Sequence, residues 1–387
     1  MNPIAAAAVH EQRNEEIEVL RAVAVIFVLF HHYQGLVLGY PQFYGYVEGM
    51  WSGVDLFFCI SGYVIARSLL PALQGKRGRP FWREVAKFWI KRWYRIIPAA
   101  WLWIVALMIV IGLKGIKGNS IFWYDTFAAM FQYANLHFYR CTVDARLHCG
   151  SFQPYWSLSL EEQFYLVIPF AAFLFRNRLW WFVAALALAQ LGLARHHWTG
   201  LSGFLRTDAI ALGVLLAVAS RRQGYRALEP KLLAGWAGPV VSVLLLVGFG
   251  VIAHKRPFPP YMGAVAILSA VLVWIASYAK GYLMPAGWLR TVAVTIGARS
   301  FSIYLAQIVC FLIARKLVER ILPADTPDGP LKLGLTLTTG LVVLALLVEA
   351  SYRLVEVPWR RRGRLLVERM SPDLVNNGRL DATSPQP

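Results

Sequence analysis

The residues in this chain best suited to chemistry lie within apolar sequence. Arg21, His32, Asp55 and the adjacent pair Glu161 and Glu162 each fall inside, or at the rim of, a segment apolar enough to span a bilayer. On insertion scales a charge at mid-helix costs about 2.5 to 3.5 kcal/mol. A chain that accepts this cost repeatedly is expected to do chemistry, or move something, inside the membrane. Arg21 and His32 are eleven residues apart, which on a helix is about three turns and roughly 16 Å of rise, within about 20° of one face. His31 is about 100° away and is expected to point elsewhere. Glu161 is reckoned at roughly 8 Å, and His32 at roughly 9 Å, below the same membrane surface, so carboxylate and imidazole can meet. A carboxylate that orients an imidazole is a general-base arrangement, and the ordinary histidine pKa of about 6.5 suits neutral pH. The structural alternatives are snorkelling of Arg21 to the interface and a helix–helix hydrogen bond for His32.

Three further groups are candidates. Asp55 begins a span in Gly53-Val-Asp-Leu-Phe-Phe and serves either a site or the start of its helix, where an acid favours the dipole. Gly53, Ser61 and Gly62 of that span permit close helix approach. Arg92 and Arg95, three residues apart in Lys91-Arg-Trp-Tyr-Arg95, share a face at the expected cytoplasmic mouth of a span. They bind lipid headgroups or grip a phosphorylated ligand by charge-assisted bonds. Arg206 and Asp208 begin another span and either line the same substrate pocket as Asp55 or pair with each other.

The elements that must position these residues are transmembrane helices. Of 387 residues 58% are hydrophobic and 15 are Trp, well above the share in soluble domains. Windows of about 17 to 25 apolar residues recur at 18–38, 51–70, 93–113, 156–176, 178–195, 204–220, 236–254, 261–279, 292–316 and 332–354. The expected fold is therefore all-α: one polytopic domain of about ten spans over 18–356, between a cytoplasmic segment 1–17 and a basic cytoplasmic tail 357–387. Residues 121–137 are apolar but carry Asp125, Gln132 and Asn135, and read as a re-entrant or interfacial helix rather than an eleventh span.

The net charge of +18 is mostly a topology signal rather than a sign of nucleic-acid binding. Lys76, Arg77, Arg79, Arg83, Lys87, Lys91 and Arg92, then Arg221, Arg222, Arg226 and Lys231, then Arg360, Arg361, Arg362 and Arg364, all fall on the side of the N-terminus when ten spans are counted. The loop 39–50 on the other face has no Lys or Arg. This bias puts both termini in the cytoplasm. Cys141 and Cys149 then lie outside, where oxidising conditions favour a disulfide between them over two free thiols. The acidic flank Glu11, Glu15, Glu16 and Glu18 and the length of the first span argue against a cleavable signal peptide. Residues 371–387 read as a disordered tail.

In this order the segments LRAVAVIFVLFHH, GVDLFFCISGYVI, KRWYRIIP, YWSLSLEEQFYLVIP, RTDAIALG and SFSIYLAQ resemble the membrane acyltransferase 3 family, which modifies bacterial surface sugars and related acceptors. The resemblance covers nearly the whole chain. It implies ten spans in the bacterial cytoplasmic membrane, and O-acyl transfer from a cytoplasmic acyl-CoA, most often acetyl-CoA, to a surface glycan or glycolipid at the outer face, with no metal. Its arginine–histidine motif falls on Arg21 and His32, the latter as the essential catalytic histidine. Its arginine pair falls on Arg92 and Arg95, and its glutamates on Glu161 and Glu162. Two positions depart: Gln307 stands where the family has a histidine, and Glu18 where it has an aspartate. Some relatives carry a hydrolase-like domain after the last span, so this chain is expected to be a stand-alone transferase.

On this reading the donor phosphates rest on Arg92, Arg95 and Arg21. His32, oriented by Glu161 or Glu162, removes the proton of an attacking hydroxyl or first accepts the acyl group itself. Two other classes fit intramembrane charge: a proton-coupled transporter or flippase, which would more often show related halves, and a non-catalytic scaffold of an envelope complex. Acceptor choice is expected to lie in loops 39–50, 114–155 and 315–331.

Overall fold

The computed structural model describes residues 14–36, 47–112, 120–144, 149–150, 152–196, 199–323, 326–327 and 329–370. Among them every regular element is helical. In chain order these are α1 (Glu15–Leu36), α2 (Gly53–Leu73), α3 (Gly78–Gly112), α4 (Ser120–Met130), α5 (Ala134–Val143), α6 (Tyr155–Phe175) and α7 (Leu179–Leu191). There follow α8 (Asp208–Ala219), α9 (Ala237–Lys255), α10 (Tyr261–Ser277), α11 (Trp288–Ile321), α12 (Pro330–Ser351) and α13 (Val357–Arg369). A single turn, Leu201–Phe204, precedes α8, and a π-helical turn, Tyr352–Glu356, joins α12 to α13. Among the described residues seven helical stretches are long and apolar enough to cross a membrane, so the chain is a polytopic helical membrane protein.

All ten expected spans fall on helices, with shifted limits. α7 and α8 have 13 and 12 residues, fewer than the roughly 20 that cross the hydrocarbon core alone. α3 has 35 residues and starts at Gly78, fifteen residues before the expected 93. α11 continues to Ile321, so the segment 315–331 begins as helix rather than as loop. Residues 121–137 form no eleventh span. They divide between α4 and α5, of 11 and 10 residues, at a break where Gln132 adopts a left-handed φ of 59°. Cys141 and Cys149 form the expected disulfide. Most of loop 39–50 and all of 371–387 lie outside the described residues.

The chain forms two compact units. The first comprises Met1–Arg67 and Asn177–Tyr304, the second Ser68–Arg176 and Leu305–Pro387.

In the first unit, α2 and α8 touch backbone to backbone. A Cβ on Gly62 would stand 2.1 Å from the Ile210 carbonyl oxygen, and one on Gly213 would stand 2.1 Å from that of Cys59. Gly53 likewise faces the Ala24 carbonyl of α1, 2.6 Å from where its Cβ would sit. The start of α1 is fixed by Asn14, whose Oδ1 accepts from the N–H groups of Glu16 (3.0 Å) and Ile17 (3.3 Å), an N-cap arrangement. Glu16, buried, accepts from the backbone N–H of Lys280 (3.1 Å) and Leu283 (2.7 Å). These contacts set the axial position of the helix that carries Arg21 and His32.

In the second unit, α6 runs antiparallel to α3. The Tyr155 hydroxyl donates to the Ala100 carbonyl (3.2 Å), the Trp89 indole to the Tyr165 carbonyl (3.0 Å), and Phe81 meets Phe173 at 5.4 Å. That register brings Arg92 level with Glu162. The break before α5 docks on α6 as well: the Ala134 N–H donates to Ser159 Oγ (3.1 Å), and Asn135 and Gln163 exchange a reciprocal amide pair at 3.0 and 2.8 Å. Such pairing satisfies irregular backbone at membrane depth.

Candidate active site

The first unit holds a buried quartet of charge. Arg206 Nε lies 3.3 Å from Asp55 Oδ1, and Arg195 Nη2 bonds Asp208 Oδ2. Residue exposure is 1% for Asp55, 2% for Arg206, 1% for Asp208 and 7% for Arg195, so each ion has lost nearly all its water. Removal from water costs several kcal/mol per ion, and mutual attraction offsets this only with good geometry and extra hydrogen bonds. Gln190 supplies such bonds. Its Oε1 accepts from Arg195 (3.1 Å) and from the Thr207 N–H (2.9 Å), while its Nε2 donates to Thr207 Oγ1 (2.8 Å). The Arg206 guanidinium also sits 5.2 Å from the Trp51 ring centroid, a cation–π contact. Trp51 in turn meets Tyr261 edge-on at 6.2 Å.

Arg206 pairs with Asp55 and Asp208 with Arg195, so the two residues at the entry to α8 each reach a partner outside their own turn. Asp55 lies in the first turn of α2, as its helix-start role requires, and also holds Arg206.

His31 and His32 lie near the far end of α1, their rings 5.5 Å apart. Toward the other end, Arg21 Nε donates to Ser300 Oγ (3.2 Å), and its Nη1 lies 3.9 Å from Glu18 Oε1. Close approach of α11 to α1, where a Cβ on Gly297 would fall 2.0 Å from the Glu18 carbonyl, brings Ser300 within reach. Arg21 is therefore held by α11 and is not simply snorkelling.

The second unit assembles Arg92, Glu161 and Glu162 around Tyr165. The Tyr165 hydroxyl donates to Glu161 Oε1 (2.6 Å), one turn earlier on α6. The Arg92 guanidinium lies 5.6 Å from the Tyr165 ring centroid and 5.7 Å from that of Phe88. Glu162 lies within electrostatic range of both Glu161 and Arg92. Arg95, half-buried, follows on the same stretch of α3, and Gln307 is fully buried on α11. In the register of α3 against α6, Arg92 and Arg95 stand level with the carboxylates. His32 belongs to one unit and Glu161 and Glu162 to the other.

Several polar partners escape sequence reading. Arg195 ends an apolar run and looks like an interfacial charge. Tyr165 differs from the other aromatics of α6 only in standing four residues after Glu161, the one available signal. On α4 and α5, Asp125, 1% exposed, accepts from the Gly150 N–H (3.0 Å) and lies 2.6 Å from His137 Nε2. His137, Cys141 and Cys149 place nitrogen and sulfur within 4.8 Å, but the two sulfurs are bonded to each other.

What these arrangements can do is general: a histidine on a membrane helix, two adjacent carboxylates beside a tyrosine and an arginine, and further arginines able to hold anionic groups. Comparison with known proteins narrows it. A family profile described as an acyltransferase domain, that of acyltransferase 3, matches residues 14–351. The chain is 27% identical over 384 residues to the peptidoglycan O-acetyltransferase OatA of Listeria monocytogenes, covering 90% of this chain and 56% of that protein. It is 25% identical over 376 residues to a putative O-acetyltransferase of Staphylococcus aureus, covering 90% and 57%. A segment of 163 residues is 30% identical to the putative peptidoglycan O-acetyltransferase YrhL of Bacillus subtilis, covering 41% of this chain and 24% of that one. The chain thus spans little more than half the length of the first two relatives and about a quarter of the third. No solved structure matches it.

Proposed function

This chain belongs to the acyltransferase 3 family, and from that premise we propose that it transfers an acetyl group from cytoplasmic acetyl-CoA to a hydroxyl of a cell-wall or other exported sugar. The observation that carries the donor half is Arg92, seated over Tyr165 and Phe88 beside Glu161 and Glu162. A guanidinium held against two ring faces keeps its forked donors pre-organised for phosphate oxygens. Arg95 and Arg21 add to the same task on this reading. The names of the O-acetyltransferase relatives, two of which mention peptidoglycan, support a glycan acceptor.

His32 acts as the base that takes the acceptor's proton, or as the nucleophile that first carries the acyl group. In the direct path the acceptor oxygen attacks the thioester carbonyl, its proton passes to His32, and CoA leaves as the thiolate. Glu161 and Glu162 are proposed to serve the same step. Asp55, Arg206 and Asp208 belong to the acceptor side, where the buried quartet fixes the entry to α8. Burial in the membrane keeps water from the thioester. The Lys and Arg distribution supports cytoplasmic termini.

The test compares ester-linked acetate on extracted surface glycans from cells lacking the protein, cells with it restored, and cells carrying His32→Ala. Acetate that vanishes on deletion, returns with the native protein and stays absent with the variant supports the reading. Identical glycans in all three would sink the surface-sugar assignment.

A further inference from the structure

The C-terminal basic helix reads from sequence as a topology signal, yet it is built into the second unit. α13 packs on α3: Trp359 meets Tyr94 at 5.7 Å, and a Cβ on Gly363 would come within 2.7 Å of Tyr94 Cβ. Higher in the pair, the Trp103 indole donates to Ser351 Oγ (3.2 Å), so the two helices run antiparallel. The π-helical turn between α12 and α13 has a local cause: Pro358 has no N–H to bond one turn back. Within that turn Glu356 is buried (1% exposed), and its Oε2 lies 3.4 Å from Arg360 Nη2. The Arg360 guanidinium lies 5.9 Å from the Tyr352 ring centroid.

Helical spacing sorts the arginines of α13. Gly363 and Val367 form the buried face. Arg360, Arg364 and Arg361 occupy the next arc of about 100°, whereas Arg362, Leu365 and Leu366 lie on the opposite flank. Arg362 stacks on Trp359 at 5.0 Å, and Leu365 and Leu366 are exposed, as a lipid-facing flank would be. On α3, Lys87, Lys91 and Arg95 recur every four residues and lie within about 100° of the Tyr94 direction. Because the helices are antiparallel, both cationic stripes fall on the same side of their seam. The α3 stripe leads around toward Arg92. Two acids temper it: Glu84, engaged by Lys87 (3.1 Å) and Lys76 (3.2 Å), and Glu368 on α13.

We propose that the α3–α13 seam, through Lys91, Arg361 and Arg364 with Arg360 anchored beneath them, is a phosphate-binding platform that receives the nucleotide phosphates of the acyl-CoA donor. This rests on the donor reading above. Several cations presented along one side of a packed helix pair suit a polyphosphate, because more than one can form charge-assisted bonds to the same anion. Arg92 lies about 160° around α3 from Tyr94, on the side facing Tyr165, so the nucleotide binds on the seam while the thioester arm reaches around α3 toward α6.

The test uses the full chain in nanodiscs of neutral phosphatidylcholine, and again with phosphatidylglycerol. Binding of radiolabelled CoA is measured directly, and KM is measured for acetyl-CoA, for its 3′-dephospho form, and for a short acetyl thioester without the nucleotide. Arg361→Gln with Arg364→Gln, both exposed, should weaken CoA binding and raise KM for acetyl-CoA roughly tenfold, as loss of charge-assisted bonds predicts. The same variant should leave kcat and the KM of the nucleotide-free thioester unchanged. The native protein should also prefer acetyl-CoA to the dephospho form. CoA binding that is equal in native protein and variant overturns the platform alone. A binding loss seen only with phosphatidylglycerol would mean that the seam holds lipid headgroups, and also overturns it. If the native protein neither binds CoA nor turns over acetyl-CoA, the donor reading fails and the platform fails with it.

Discussion

Tyr165 ties Glu161 to Arg92: its hydroxyl donates to the carboxylate at 2.6 Å while its ring faces the guanidinium at 5.6 Å. A carboxylate and an arginine on different helices are thereby set at fixed distances through one side chain, with Phe88 closing the other side. Tyr165→Phe should keep the ring contact and lose one hydrogen bond, worth about 0.5 to 1.5 kcal/mol. Turnover should fall by no more than roughly tenfold, with membrane abundance unchanged. Tyr165→Leu removes both contacts and should cost more. Acetyl-CoA turnover by purified protein checks both.

His32→Ala should lower transfer by about 10² to 10⁴, the span of general acid–base contributions, while abundance in membranes stays level. His31→Ala, about 100° around α1 from His32, should lower transfer far less. A double variant of His32 and Glu162 gives a second reading. If its loss equals that of His32→Ala alone, the two act in one step.

The Arg195–Asp208 pair separates stability from function. Arg195→Met leaves a buried carboxylate unpaired and should cost about 3 to 5 kcal/mol, seen as a lower melting temperature in detergent. Arg195→Met with Asp208→Leu removes both charges and should restore most of that stability. Activity that stays low in the restored double variant assigns the pair a role in the reaction; full recovery makes it structural.

Gly62→Ala puts a methyl group where the Ile210 carbonyl stands 2.1 Å away. Overpacking of this kind costs about 1 to 3 kcal/mol, and both abundance and melting temperature should drop. Gly75, with nothing near its Cβ position but a φ of +75°, should show a smaller loss on the same change, set by backbone strain alone.

The Cys141–Cys149 disulfide provides a handle on topology. In intact cells a membrane-impermeant maleimide should label the chain only after reduction, because Cys59 and Cys310 are buried. Labelling from the cytoplasmic side alone, in inverted vesicles, would reverse the proposed orientation.

The amino-acid sequence by itself determined the class of the fold and the position of nearly every helix. Runs of apolar residues long enough to cross hydrocarbon leave the backbone no alternative to helix. The polar residues Asp125, Gln132 and Asn135 correctly marked 121–137 as something other than a span. Two cysteines eight apart in a short polar loop announced their disulfide, since that distance is local. Charges were legible as exceptions within apolar sequence, and so were His32, Glu161, Glu162 and Arg206. Their partners were not. Asp55 meets Arg206 across 151 positions of chain, and Arg92 meets Tyr165 across 73; hydropathy fixes how long a helix is but not which neighbour it packs against or in what register. That choice follows from side-chain and backbone fit. The Gly62 and Gly213 contacts set α2 against α8, and the aromatic stack of α3 on α6 slides Arg92 level with Glu162. Only the tertiary structure decided these, because contacts between helices depend on three-dimensional packing that the one-dimensional order of residues does not encode locally.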